Sequence, residues 1–72
     1  MTRYDCRAYK SEKEFLRRKP CACLSTANKE RAKLFAYENL QQDRYVSIEN
    51  VDAGEMRSYD PAIEKNRTIL IP

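Results

Sequence analysis

The sequence predicts an α+β domain of order β-α-β-α-β-β-β, with two helices packed on a twisted, mainly antiparallel sheet. Three observations predict it. Ala32, Phe35, Ala36 and Leu40 recur at helical spacing and form one apolar stripe. Residues 3–9, 21–25 and 45–49 alternate at the two-residue period of half-buried strands. Short breaking segments, among them Pro20, 41–44 and 51–54, separate these runs. The 72 residues are expected to form one domain, 1–72. A chain of this length buries only about 60% of its unfolded surface, so a single thin core is all that fits.

Each element has a local reason. In the first strand Tyr4, Cys6 and Ala8 lie on one side, with Arg3, Asp5, Arg7 and Tyr9 on the other. Ser11 and Glu14 have capping-box spacing and start a short helix through Phe15 and Leu16. Arg17, Arg18 and Lys19 suit the negative end of its dipole, and Pro20 stops it. A second strand, 21–25, sets Cys21, Cys23 and Ser25 on one face against Ala22 and Leu24. The long helix runs from about Lys29 to Gln41, capped by Asn28 or Thr26. Leu34 and Tyr37 fall on the side away from its core stripe. Flanking packing is their ordinary role, and exposed anchors of a partner surface the alternative.

Beyond it, 45–49 is a strand with Val46 and Ile48 on one face and Tyr45 and Ser47 on the other. The only glycine, Gly54, supplies the turn to a strand at 56–59, which Asp60-Pro61 ends. The apolar run 68–71 is expected to be a last strand, interior to the sheet or covered on both faces. Pairing with a second copy could cover its edge, which makes a homodimer an expectation.

The net charge of +3 is unevenly spread. Residues 1–33 carry ten Lys/Arg against four Asp/Glu, and residues 34–72 carry four against seven. No apolar run approaches the roughly 20 residues of a membrane span, and no signal-peptide pattern opens the chain. A soluble, cytoplasmic protein is therefore expected. The three cysteines, Cys6, Cys21 and Cys23, are an odd number with no histidine to complete a metal set. Their ordinary role is as small buried hydrophobes; a three-thiolate site is the alternative.

Several short motifs stand in an order that resembles the C-terminal half of the ADP-ribosyltransferase fold, in its arginine–serine–glutamate class. Leu24-Ser25-Thr26-Ala27 is similar to that class's Ser-Thr-Ser strand, and Arg31-Ala32 with Phe35-Ala36 to the helix after it. Residues 44–54 resemble the next strand and turn, and 68–72 the strand that follows the family's catalytic Glu-x-Glu. Together these span residues 21–72, and Arg7-Ala8 stands where the family has its first-strand Arg-Gly. The resemblance implies that Arg7 would hold a dinucleotide phosphate, that Ser25 would support the site, and that a glutamate would stabilise the ribose cation. At the Glu-x-Glu positions, however, this chain reads Asn66-Arg67-Thr68. Glu64 is two residues early, a displacement of about 6.6 Å along a strand. Only 17 residues separate Arg7 from Ser25, too few for the helical region that completes the family's cleft.

With no histidine, no paired carboxylates and no Gly-rich phosphate loop, the sequence leaves activity open and leans away from it. No catalytic, metal or cofactor set is expected. The first functional expectation is a small interaction protein that inhibits or regulates a protein partner. Its general build resembles the inhibitors that phages and mobile elements direct at bacterial defence or host machinery. Arg3, Arg7, Tyr9, Arg17, Arg18, Lys19, Leu34 and Tyr37 are its expected contacts, because Tyr and Arg are common interface anchors. The alternatives are nucleic-acid binding through Lys10, Lys13, Arg17, Arg18, Lys19, Lys29, Arg31 and Lys33, with Tyr4 or Tyr9 stacking on bases, and, from the resemblance, a degenerate ADP-ribosyltransferase-like domain.

Overall fold

The computed structural model describes residues 2–72. In chain order the elements are β1 (Tyr4–Tyr9), α1 (Glu12–Leu16), β2 (Ala22–Thr26), α2 (Lys29–Gln41), β3 (Tyr45–Asn50), β4 (Glu55–Tyr59) and α3 (Pro61–Glu64). The strands make one antiparallel sheet of order β2-β1-β3-β4. Its register aligns Ala22, Ala8, Val46 and Tyr59 in one row across the sheet. Leu24, Cys6 and Ile48 align in the next, so these side chains share a face.

That face lies under α2. Ala32, Ala36 and Leu40 close on Cys6, Ala8, Val46 and Ile48, with Phe35 packed at the margin. Fully burying a side chain such as Val46, Ile48 or Leu40 contributes about 1.5–3 kcal/mol each. The two expected capping residues act in series. Thr26 Oγ1 accepts the Asn28 N–H (3.0 Å), and Asn28 Oδ1 accepts those of Glu30 and Arg31 (2.9 and 3.2 Å). Asn39 also turns inward. It donates to the Phe35 carbonyl (2.8 Å) and accepts from the Arg44 guanidinium (3.0 Å), so its burial leaves no polar atom unpaired.

The opposite face carries α1 at one end. Ser11 caps it by accepting the Glu14 N–H (3.3 Å), which is half of the expected capping box. Phe15 meets Tyr9 edge-on (5.2 Å between centroids) and stacks on Tyr45 (5.8 Å). Both helices end in the same paired-carbonyl closure. After α1, Arg18 N–H bonds the Phe15 carbonyl and Lys19 N–H that of Glu14; after α2, Asp43 bonds Leu40 and Arg44 bonds Asn39. The closure needs one left-handed residue, and here it is Arg18 (φ 56°) or Asp43 (φ 59°) in place of the usual glycine. The lone glycine, Gly54 (φ 68°), serves the β3–β4 turn as expected.

The C-terminal run is not a strand. Asp60-Pro61 does more than end β4: Asp60 accepts the Ala62 N–H (2.9 Å) and caps α3, with Pro61 in its first turn. Asp-Pro ahead of Ala-Ile-Glu is the signal that could have revealed this helix. α2 covers β2, β1 and β3 and leaves the β4 flank of the same face bare. The tail fills it, with Ile69 and Ile71 turned in and Leu70 out. Its carbonyls find side chains and not a ladder: Tyr59 Oη donates to Leu70 (2.6 Å), and Asn50 Nδ2 to Pro72 (3.4 Å). The homodimer expected through a terminal strand therefore loses its edge.

Two other expectations need correction. Cys6 is buried, but Cys21 and Cys23 are exposed: β2 is an edge strand, and Cys23 lies on its face away from α2. Cys21 lies at the bend before β2, where its N–H bonds Ala8 (2.8 Å), outside the alternation. Cys6 faces α2 while Cys23 pairs with Arg7 on the other side, so the three thiols cannot share an ion. Leu34 and Tyr37 are 55% and 53% exposed and do not act as flanking packing. Among the described residues no helix is long and apolar enough to cross a membrane.

Three outcomes follow from this packing. Arg18→Gly removes the left-handed strain at the end of α1 and should raise stability by about 0.5–1 kcal/mol in urea titrations, after the entropy glycine adds to the unfolded chain. Native protein should titrate two thiols with a disulfide reagent, and Cys6 should react only after unfolding. The third outcome concerns alkali. Burial pushes the Cys6 thiol up to about 11, with Asp5 adding to it, and the Tyr59 phenol up to about 12, with Arg57 partly opposing. Both groups hold protons more tightly folded than unfolded, so their contribution is complete below pH 9 and lost as pH rises through 11 and 12. Denaturant midpoints should fall across that window. Tyr59→Phe should remove the upper part of the fall and cost about 0.5–1.5 kcal/mol at neutral pH for the lost bond to the tail.

Candidate functional site

Strand alternation and one helix end build a concavity on the sheet face away from α2. β1 turns Arg7 to this face and β3 turns Ser47, its partner in the register. Phe15, held between Tyr9 and Tyr45, fixes α1 above them. The left-handed turn at Arg18 then folds the chain back toward Pro20, so Leu16, Arg18 and Pro20 form one wall. Met56 of β4 stands on the other side. The volume of the concavity is about 410 Å³.

The electrostatics are one-sided. Among the described residues neither Arg7 nor Arg18 has a carboxylate within 4.0 Å. The nearest acidic row of the same face is Asp5 and Glu49, one step along the strands and opposite each other in the register. Asp5 is already engaged: Ser25 Oγ donates to it (2.9 Å) and Arg3 Nε lies 3.9 Å away. Two unpaired guanidinium groups thus flank a pocket whose rim carries Leu16 and Met56, 70% and 66% exposed. Guanidinium forks suit carboxylates, and apolar rims suit a macromolecular surface.

The expected partner residues do not form one patch. Arg7 and Arg18 meet in the concavity, with Arg17 and Lys19 exposed beside it; Arg3 sits at the far end of β1. Tyr9 lines the concavity but is only 5% exposed, so it forms part of its floor and supports Phe15 from below. Leu34 and Tyr37 lie across the sheet, in a separate groove of about 600 Å³ between α2 and the tail. Leu16, Pro20 and Met56 were missed. Their sequence neighbourhoods carry no periodic signal, and only the fold brings them beside Arg7.

The nucleic-acid expectation loses its stacking residues. Tyr4 is 6% exposed beneath α2 and Tyr9 is buried under Phe15. The basic residues also divide, with Lys10, Lys13, Arg17, Arg18 and Lys19 around α1 and Lys29, Arg31 and Lys33 at and within α2 on the other layer. For the transferase resemblance, Arg7 and Ser25 do share the open face, where Ser25 is bonded to Asp5. Asn66, Arg67 and Thr68 line the groove beside α2 on the other layer, and Glu64 belongs to α3. The three positions that the resemblance implies for one site are not brought together.

Set against known protein families, curated proteins and solved structures, the chain matches none of them.

Proposed function

We propose that this chain is a non-catalytic interaction protein that regulates a protein partner by docking an acidic, partly apolar segment in the concavity on its open sheet face. The observation that carries the reading is the pairing of two uncompensated guanidinium groups, Arg7 and Arg18, with the exposed apolar rim of Leu16 and Met56. A carboxylate side chain of the partner would take a forked pair of hydrogen bonds from either arginine, and an adjacent apolar side chain would cover Leu16 or Met56. Phe15, Tyr9 and Tyr45 hold the α1 wall in place, so little ordering cost is left for the moment of binding.

Arg18 gives a test that separates binding from folding. Arg18→Gly is expected to be more stable than the parent, so binding lost in that variant cannot come from unfolding. In affinity capture from nuclease-treated lysate of the source cells, the parent should retain a protein at raised salt. Arg7→Glu should retain none, and Arg18→Gly should lower the affinity by roughly tenfold, a cost of about 1.4 kcal/mol. Equal retention by parent and both variants would sink this surface. Recovery of nucleic acid that is lost steeply with salt would transfer the function to the basic residues around α1.

A further inference from the structure

We propose that two copies of this chain pair through the free edge of β2, antiparallel and two-fold about Leu24, to make one continuous eight-stranded sheet. This is independent of what occupies the concavity. The first observation is the edge itself. Val51 N–H bonds the Arg3 carbonyl (2.9 Å), which sets the odd-numbered residues of β1 to bond β3 and the even-numbered ones to bond β2. Tyr4, Cys6 and Ala8 face Thr26, Leu24 and Ala22, so those three β2 residues bond inward. Cys23 and Ser25 therefore direct their N–H and C=O groups outward, and no backbone group among the described residues meets them.

The two sheet edges are protected differently. β4 carries Glu55 and Arg57, charges of the kind that keep an edge from pairing. β2 reads Ala-Cys-Leu-Ser-Thr, with no charge, proline or glycine. Antiparallel pairing about Leu24 would set Leu24 opposite its own copy in a non-hydrogen-bonded position. Cys23 would face Ser25 of the second copy, with both outward N–H groups satisfied.

The second observation is charge complementarity above that edge. Leu24 lines a shallow hollow with Leu34 and Phe35, and Arg31 and Glu38 of α2 flank it. Arg31 and Glu38 are two helical turns apart, about 10.5 Å, and form no ion pair with each other. Their midpoint falls between Leu34 and Phe35, the two residues that share the hollow with Leu24. A two-fold there brings Arg31 of each copy toward Glu38 of the other, twice, and covers the exposed Leu34 on both. The axis is normal to the sheet, so both Arg7–Arg18 concavities open on the same side of the pair.

Light scattering of the purified chain across a concentration series tests this. The parent should reach twice 8.5 kDa. Ser25→Pro removes an outward N–H and no inward ladder bond, and should be monomeric with its circular dichroism retained; Ser25→Ala, which loses only the hydroxyl bond to Asp5, should still pair. Arg31→Glu and Glu38→Arg should each weaken the dimer by roughly tenfold, and the double variant should recover it. That recovery cannot arise from folding, so the charge series decides the matter even if Ser25→Pro fails to fold. A parent that stays at 8.5 kDa throughout overturns the proposal. So does a dimer indifferent to the charge changes, or single losses that the double variant does not repair.

Discussion

The close approach of α2 to the two central strands is the constraint on which the rest of the molecule depends. Ala32 and Ala36 share one buried cluster with Cys6 and Ala8, and residues this small let a helix pack closely over β1. A thin chain cannot afford a deep core, so it closes its layers with alanine and places its larger residues, Leu40, Val46, Ile48 and Tyr59, around that seam. Everything outside the seam is an accommodation to it. α2 leaves the β4 flank bare, so the tail covers that flank; α2 occupies one face, so α1 takes the other.

The two faces have different chemistry as a result. On the α2 side of the sheet the polar groups are few and paired, as Asn39 shows, and burial under α2 and the tail pushes the Cys6 thiol and the Tyr59 phenol up. The far face is more open, although Phe15 closes over Tyr9 and Tyr45 and Ser47 is buried between its neighbours. There a basic row at the α1 end adjoins an acidic row of Asp5 and Glu49, and the basic row borders the concavity. The charge asymmetry between the halves of the sequence is thus not one basic patch. The layers split it, and what remains local is the pair Arg7 and Arg18.

Helix ends connect local structure to the site. Both main helices close with a left-handed residue that is not glycine, which costs stability at Arg18 and Asp43. At Asp43 the side chain recovers part of this through its contact with Lys65 (3.0 Å). At Arg18 among the described residues no ion pair offsets the strain, and the strained residue borders the concavity. Retention of an unfavourable conformation beside a candidate binding site is the pattern expected where geometry serves recognition.

Sequence alone determined the elements whose signal is local. The alternation of β1, the capping of α1 and α2, the stripe of α2 and the turn at Gly54 are each set by neighbours within a few residues, and each is where spacing placed it. Only the tertiary structure decided what depends on which face a distant element covers. The run 68–71 has a strand's composition, but its fate turned on the flank α2 left open. Cys21, Cys23, Leu34 and Tyr37 are exposed, and Tyr4 and Tyr9 buried, according to the layer above each of them. The meeting of Arg7 with Leu16, Arg18 and Met56 joins β1, the end of α1 and β4, and no periodicity within one segment encodes a distance between three.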